Sequence, residues 1–185
     1  MKDFLRKHRF ETVLFLIFFA LISRLAPHPS NFTPLTAVAL FSAAFIKRKS
    51  LAFIIPVAGF FASDMILNLV KSDYNYGIIN LIMYLVIILI ASTGVLLGRK
   101  VTIIRTALFS ISGSSLFFII TNFAVWFFWD MYPKTVSGLF SCYTAGIPFF
   151  RNMVAGDLVY TGLLFGSFAL VARYSENREV ALSDC

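Results

Sequence analysis

Long apolar runs recur along this chain and constrain its fold more than any other feature. They fall at about 11–26, 33–46, 51–70, 78–98, 106–128 and 147–172. About 20 apolar residues in an α-helix cross the hydrocarbon core of a bilayer, and proline, glycine or basic residues separate these runs. The sequence therefore predicts an all-α membrane protein, a six-transmembrane-helix bundle that forms a single integral membrane domain over residues 1–185.

The composition supports lipid as the solvent for most of the surface. Of the 185 residues, 59% are hydrophobic and 14% are charged. A soluble domain has about 45–50% apolar and about 25% charged residues, because it must cover its surface with polar groups. The composition therefore excludes a soluble enzyme and a disordered chain.

Basic residues indicate how the helices are oriented, because Lys and Arg collect in short cytoplasmic loops. The run at 33–46 is short for a span, so a re-entrant segment is the alternative. Most of the 16 Lys and Arg residues fall inside only if this run crosses. We therefore expect a multi-pass protein of the cell inner (plasma) membrane with both termini cytoplasmic. The net charge of +7 lies in scattered clusters at alternate helix boundaries, so no nucleic acid partner is expected.

Four charged residues fall within the predicted spans, all in their outer half: Arg24, Asp64, Arg151 and Asp157. A charge near the bilayer centre costs at least about 2.5–3.5 kcal/mol unless it is paired or wetted. Arg151 and Asp157 are six residues apart on one helix and do not face each other. We therefore expect their partners to be Arg24 and Asp64. The four charges either fix the bundle as interhelical pairs or line a polar cavity that opens to the outside.

Amide side chains share the depth of these charges, since Asn68 lies one turn after Asp64 and Asn122 is near the outer end of the fifth run. The loop 27–34 contains three prolines and is expected to stay extended beside the second helix. The predicted substrate-binding residues are Arg24, His28, Asn31, Asp64, Asn68, Asn122, Arg151, Asn152 and Asp157.

The segment 129–146 is predicted to be an outer loop that acts as a lid over this cavity. Loops of such length are usually functional or flexible. Thr135 to Ala145 are expected to form a short helix on the outer surface, with Leu139, Phe140 and Tyr143 facing the bundle. Simple anchoring of the aromatic residues at the membrane interface is the alternative.

Pairs of small residues four positions apart are predicted to allow close helix packing within the monomer. A docking surface for a partner membrane subunit is the alternative. The pairs are Ala39 with Ala43, Gly94 with Gly98, and Gly162 with Gly166.

Motifs for catalysis, metal binding or nucleotide binding are not evident. The two histidines, His8 and His28, have no second ligand at metal spacing, and the chain has no His-Glu-x-x-His or paired-cysteine motif. A glycine-rich phosphate loop is also lacking, so ATP-driven work would need other chains. We therefore expect no enzyme activity, no cofactor and no metal.

Several segments resemble a family of small bacterial membrane proteins of unknown function. They are residues 27–34 followed by 37–41, Pro56 to Asp64, Gly138 to Asn152, and Gly156-Asp157. The resemblance covers roughly residues 20–166 and implies topology rather than activity. More distantly, the six-helix size and the outward polar site resemble the substrate-binding S component of energy-coupling-factor transporters. That likeness implies a vitamin or other small polar nutrient as ligand, and a partner transmembrane subunit and ATPases on separate chains.

The leading functional prediction is an integral membrane substrate-binding or transport subunit with a cavity between the first, third, fifth and sixth helices. Arg24 and Arg151 would hold a carboxylate or phosphate of the ligand. One alternative is an ion-gradient-driven transporter or channel with a proton site at Asp64 or Asp157. The other is a membrane scaffold in which the charges are purely structural.

Overall fold

The described part of the chain is built from helices alone. A computed structural model describes residues 9–25, 27, 29–70, 77–98 and 100–183. Its helices are α1 (Arg9–Leu25), α2 (Leu35–Phe45), α3 (Lys49–Val70), α4 (Ile78–Leu97), α5 (Ile103–Phe128) and α6 (Val136–Ser183). The all-α prediction is confirmed, and α1 to α5 coincide with the predicted runs to within a few residues.

Four of these helices are long and apolar enough to cross a membrane, namely α3, α4, α5 and the Val136–Tyr174 part of α6. Large apolar side chains such as Ile104, Leu163 and Phe140 face outward on them. Because water-soluble proteins rarely expose extended apolar surface, the chain is a membrane protein. The apolar helices Phe15–Leu25 and Leu35–Phe45 are shorter than these four.

Helix α2 is the centre of the bundle. All of its residues except Ala44 are buried, and it packs against each of the other five helices. A helix that is apolar on every side is stable only when it is enclosed. Its 11 residues extend about 16 Å at about 1.5 Å per residue, roughly half of a hydrocarbon core of about 30 Å. Protein rather than lipid therefore surrounds α2.

Contacts between helix ends give the directions of α2, α3 and α4. Ser42 Oγ donates a hydrogen bond to the Ala52 carbonyl at 2.8 Å, so the end of α2 lies beside the start of α3. A Cβ atom on Gly98 would lie 2.5 Å from the Ala44 carbonyl oxygen. Helix α4 therefore ends at the same level as α2, and the glycine allows the backbones to touch.

Helices α5 and α6 run antiparallel along most of their length. Cys142 Sγ donates to the Asn122 carbonyl at 3.4 Å, near the end of α5 and the start of α6. Thr161 Oγ1 donates to Ser110 Oγ at 3.2 Å, nearer the start of α5. The chain thus reverses direction between successive helices from α2 to α6.

Basic residues gather where α2 and α4 end and where α3 and α5 begin, a region called the basic end below. Lys47, Arg48 and Lys49 are exposed there between α2 and α3, and Lys100 is exposed just before α5. The opposite end is called the distal end. This clustering on one end of the bundle is the distribution that the sequence predicted.

The predicted loop 129–146 is helical over most of its length, so that prediction is wrong for residues 136–146. Helix α6 begins at Val136 and continues without interruption. Thr135 Oγ1 accepts a hydrogen bond from the Gly138 backbone N–H at 3.2 Å, as expected of an N-terminal cap. The prediction of a helix over Thr135 to Ala145 is confirmed from Val136 onward. Its predicted end is wrong, because α6 continues past Ala145 and through Pro148.

The connection that remains, residues 129–135, is held to the end of α5. Lys134 Nζ donates to the carbonyls of Trp126 and Trp129 at 2.5 and 2.6 Å. The Trp126 indole N–H donates to the Pro133 carbonyl at 2.9 Å. Because these bonds satisfy the last carbonyls of α5, the connection is a fixed turn and not the predicted lid.

Candidate functional site

Asp64 lies at the centre of a hydrogen-bonded cluster between α1, α3 and α4. Its side chain is 0% exposed. Arg24 Nη1 donates to its Oδ1 at 2.5 Å. The Tyr84 hydroxyl donates to Oδ2 at 2.5 Å, and Asn80 Nδ2 donates to the same oxygen at 3.1 Å. Both carboxylate oxygens therefore have donors, and one of the donors is a cation.

Arg24 makes further contacts with α3. Its Nη1 donates to Ser63 Oγ at 2.7 Å and to the Phe60 carbonyl at 3.3 Å. The guanidinium carbon lies 4.6 Å from the centroid of the Phe60 ring, within the range of a cation–π interaction. The side chain is only 11% exposed. This cluster ties the end of α1 to α3.

Asp157 lies in a second cluster, between α2, α5 and α6, and its side chain is 1% exposed. The Ser114 hydroxyl donates to Oδ2 at 2.7 Å, and the Thr36 backbone N–H donates to Oδ1 at 3.2 Å. Thr36 is in the first turn of α2, where the aligned peptide dipoles favour a negative charge. No cation pairs with Asp157 among the described residues.

The predicted partners of the α6 charges are therefore wrong. Arg24 and Asp64 pair with each other. Arg151 is exposed and makes no hydrogen bond or ion pair within the described part of the chain. Arg151 instead lies on an exposed face of α6.

Two predicted amide residues also fall outside any shared cavity. Asn68 is exposed one turn after Asp64 and makes no hydrogen bond with the described residues. Asn152 Nδ2 donates to the Ser30 carbonyl at 3.2 Å, which ties α6 to the proline-rich loop. The described residues do not bring the four predicted charges together, because Arg24 pairs with Asp64 while Asp157 and Arg151 lie apart from that pair.

The proline-rich loop packs against α6. It was predicted to be extended, but a turn at Asn31 interrupts it, because the Phe32 N–H donates to the Pro29 carbonyl. Phe32 lies so close to Gly156 that a Cβ atom there would be 3.1 Å from the Phe32 Cα. Its ring centroid is 5.6 Å from that of Tyr160. His28, the remaining predicted residue of this loop, lies outside the described residues.

A pocket of about 260 Å³ is present at the distal end, between α4, α5 and α6, and is called the distal pocket below. It brings together two predicted residues, Asn31 and Asn122. None of the described residues that line it is charged, and the set combines aromatic, thioether, hydroxyl and amide side chains. The lining residues are Asn31, Ile79, Met83, Phe117, Phe118, Thr121, Asn122, Val125, Gly146, Phe149 and Met153.

Asn122 supplies a polar group to the distal pocket. Its Nδ2 donates to the Phe118 carbonyl at 2.8 Å, which fixes the orientation of the amide. Its Oδ1 accepts no hydrogen bond from the described residues. A Cβ atom on Gly146 would lie 2.5 Å from this oxygen, so glycine is required for α6 to pass so close. The amide oxygen is thus an acceptor for a ligand that carries an N–H or O–H group.

Asn31 supplies the second amide, from the loop that precedes α2. Its backbone has a φ of 63°, in the left-handed region that asparagine tolerates better than most residues. The Phe32 N–H donates to the Pro29 carbonyl at 3.0 Å and closes this turn. The Asn31 side chain is exposed and has no hydrogen-bond partner within the described structure, so its amide is available at the mouth of the pocket.

Sequence reasoning missed the partners that hold the two aspartates. Tyr84 lies one turn after Asn80 on α4, and this spacing was a usable signal because both side chains reach Asp64. Ser114 belongs to a serine-rich stretch of α5 that indicated only close packing. The backbone N–H of Thr36 carries no signal in the sequence at all.

The described helices form a bundle in which four are long and apolar enough to cross a membrane, with a small pocket at one end. The chain belongs to a family of unknown function, DUF6580, which matches residues 4–179. This membership agrees with the resemblance to membrane proteins of unknown function. No curated protein matches the chain, and no solved structure matches it. The likeness to transporter S components thus gains no support from these comparisons.

Proposed function

We propose that the chain crosses the plasma membrane six times, with both termini in the cytoplasm. The alternating directions of α2 to α6 support this topology, and the loop before α2 adds to the length of the short helix. The positive-inside rule assigns the basic end to the cytoplasm. The distal pocket then opens toward the outside.

The proposed activity is binding of a small, uncharged ligand in the distal pocket, as a substrate-binding or transport subunit. The observation that carries this proposal is a pocket with two available amide groups and aromatic walls, whose described lining residues carry no charge. A concave site with mostly apolar walls and a few convergent polar groups is the usual form of a small-molecule site. The charged residues that were predicted to hold a carboxylate or phosphate lie elsewhere.

The volume of the distal pocket limits the ligand. At about 30 Å³ for each water molecule in the liquid, 260 Å³ corresponds to roughly nine waters. We therefore expect a ligand of about ten non-hydrogen atoms, with a flat apolar part for the phenylalanines and an N–H donor for Asn122. This narrows the predicted class of vitamin-like nutrients to its smallest members. Energy for active transport would come from a partner transmembrane subunit and ATPases on separate chains.

A thermal-shift screen of the detergent-purified chain tests the proposal. Nicotinamide matches the size and the absence of charge, and nicotinate, thiamine and riboflavin serve as charged or larger comparisons. At 100 times its Kd, a ligand stabilises a protein by about 2.7 kcal/mol. We expect stabilisation by small uncharged compounds only. Asn122→Leu should remove it, whereas Asn68→Leu, on the exposed surface, should not.

Two results would overturn the binding proposal. One is stabilisation only by the charged or larger compounds, because the pocket has neither the charges nor the volume for them. The other is an equal response of Asn122→Leu and the unmodified chain. Failure of every compound of suitable size and charge would also count against a ligand in this pocket.

A proton-coupled transporter is the second candidate function, favoured by one observation. Asp157 is buried in the bundle and is held by a hydroxyl and a backbone amide, with no cation beside it among the described residues. Intramembrane carboxylates of this kind mark proton relays in pumps and transporters. Vesicles that contain only this chain should then show pH-driven flux, and Asp157→Asn should abolish it. Flux that persists in the variant would exclude Asp157 as the proton site.

A further inference from the structure

A larger groove lies at the basic end between α5 and α6, on the opposite end of the bundle from the distal pocket. Its volume is about 800 Å³, and most of its walls are apolar. It is called the basic-end groove below. The lining residues are Phe45, Val101, Thr102, Ile103, Thr106, Ala107, Leu158, Thr161, Gly162, Phe165, Gly166, Ala169, Leu170, Ala172 and Arg173.

We propose that the basic-end groove binds an anionic phospholipid of the leaflet on that side. The acyl chains would lie along the small residues of α6, and the phosphate would lie at the mouth beside Arg173. This site is separate from the distal pocket and does not depend on what the distal pocket binds. Four observations support a lipid as the occupant.

The first is open space over the small residues of α6. A Cβ atom on Gly162 or on Gly166 would meet no atom within 4 Å. At Gly94, by contrast, a Cβ atom would lie 2.9 Å from the Leu40 carbonyl oxygen. The prediction of packing within the monomer is thus confirmed for the α4 pair, and the α6 pair presents a smooth unoccupied surface to the groove.

The second is the length of the groove. From Leu158 to Arg173 the helix rises about 22 Å at about 1.5 Å per residue. One leaflet of a bilayer is about 15 Å of hydrocarbon with about 6 Å of headgroup region. The groove therefore has the length of one lipid molecule, with Leu158 near the midplane and Arg173 at headgroup depth.

The third is a hydroxyl group without a partner. Thr106 lines the groove and is 5% exposed, and its Oγ1 is buried with no hydrogen-bond partner in the described structure. A buried hydroxyl without a hydrogen bond is costly. Thr106 lies one turn, about 6 Å, from Thr102 along α5. The ester carbonyls of a phospholipid lie at about this distance below its phosphate, so a lipid in the groove would place them at the level of Thr106.

The fourth is the charge at the mouth. Arg173 lines the groove, is exposed, and forms no hydrogen bond or ion pair within the described part of the chain. Thr102 and Ile103 place the N-terminus of α5 at the same mouth, where unsatisfied N–H groups and the helix dipole favour an anion. No acidic residue is among the described residues that line the groove. These groups complement a phosphate rather than a zwitterionic headgroup.

Native mass spectrometry of the delipidated full chain tests the proposal. The protein is mixed with phosphatidylglycerol and phosphatidylcholine that carry identical acyl chains, and the retained lipid is counted. We expect preferential retention of phosphatidylglycerol. Arg173→Gln should lower that retention about fivefold, the factor equivalent to about 1 kcal/mol for one basic residue at an anionic surface.

Variants of the groove wall and a matched arginine complete the experiment. Gly166→Leu fills open space, so it should fold and retain less of both lipids, and Ala169→Leu provides a second block. Arg151→Gln changes an exposed arginine of α6 that does not line the groove, so it should leave lipid retention unchanged. Equal retention of the two lipids by the unmodified chain would overturn the proposal, as would an equal effect of the two arginine variants. A dimer that Gly166→Leu converts to monomer would assign the groove to a second copy of the chain and would also overturn it.

Discussion

Asp64 and Asp157 are both buried in the bundle, yet they are held in different ways. Asp64 has a guanidinium, a phenol and an amide around it. Asp157 has one hydroxyl and the first turn of α2. A buried ion pair makes each partner dependent on the other, because removing one leaves an uncompensated charge. A carboxylate held by neutral dipoles has no such dependence.

This difference separates structural charges from available polar groups. The Arg24–Asp64 pair joins α1 to α3, and its donors leave no carboxylate oxygen without a hydrogen bond. Asp157 joins α6 to the N-terminus of α2, the helix that contacts every other one. The groups that are available for a ligand are amides in the distal pocket. The charged residues Arg24, Asp64 and Asp157, which are the most costly to bury, thus connect the helices of the bundle. The proposed ligand site is formed by uncharged residues.

The largest expected effect is that of Arg24→Gln. This change leaves the Asp64 carboxylate buried beside neutral groups and should lower the free energy of unfolding by about 3–5 kcal/mol. Unfolding in mixed detergent titrated with sodium dodecyl sulfate measures it. The double variant Arg24→Gln/Asp64→Asn should recover most of the loss, since both charges are removed together. Losses that simply add would show that the two residues are not coupled.

Tyr84→Phe should have the next largest effect. It removes one hydrogen bond to the ionised partner of Arg24, and such bonds contribute about 1.5–3 kcal/mol. Tyr143→Phe is the matched control, because its hydroxyl donates to the neutral Ile119 carbonyl at 2.8 Å, where about 0.5–1.5 kcal/mol is expected. If the control loses as much stability as Tyr84→Phe in the same titration, the charge of Asp64 contributes nothing to the bond.

Asp157→Asn should cost less, about 0.5–1.5 kcal/mol. An asparagine keeps an oxygen that can accept from Thr36 or Ser114, and no cation is left unpaired among the described residues. The loss is compared with that of Asp64→Asn in the otherwise unchanged chain, because this substitution leaves the guanidinium of Arg24 without its carboxylate partner. Equal losses for the two substitutions would mean that the two aspartates are held alike.

The smallest effect should be that of Arg151→Gln. Arg151 makes no contact in the described structure that the substitution could break, and removing a charge from a predicted span avoids its cost in lipid, so the free energy of unfolding should not fall. The same unfolding titration gives the value. A loss comparable to that of Arg24→Gln would show that Arg151 has a buried partner after all.

The helices were predictable because lipid imposes one strong rule on sequence. An apolar run of sufficient length must be a helix that satisfies its own backbone, and this located α1 to α5. A short helix was predicted over Thr135 to Ala145, but its continuity with the last apolar run was missed, because α6 begins at Val136 and passes through Pro148. Contacts with α5, such as the hydrogen bond from Cys142 Sγ to the Asn122 carbonyl, hold this first part of α6 against the bundle.

The candidate site was less predictable than the fold. Position along the apolar runs placed Arg24, Asp64 and Asp157 within helices, but the pairing of charges depends on the rotation of each helix and on its neighbours. Met83 and Phe149 line the distal pocket but do not differ in pattern from residues that face lipid. Only Asn31 and Asn122 were identified in advance, because polar side chains in an apolar chain stand out.

The most direct test compares the two regions in one binding measurement. Nicotinamide-induced thermal shifts are recorded for the unmodified chain, for Arg24→Gln/Asp64→Asn and for Asn122→Leu. If the buried pair is structural and the ligand binds in the distal pocket, the double variant keeps the shift and Asn122→Leu loses it. The opposite result, in which the folded double variant loses the thermal shift and Asn122→Leu keeps it, would contradict the account. It would indicate that the ligand binds at Arg24 and Asp64.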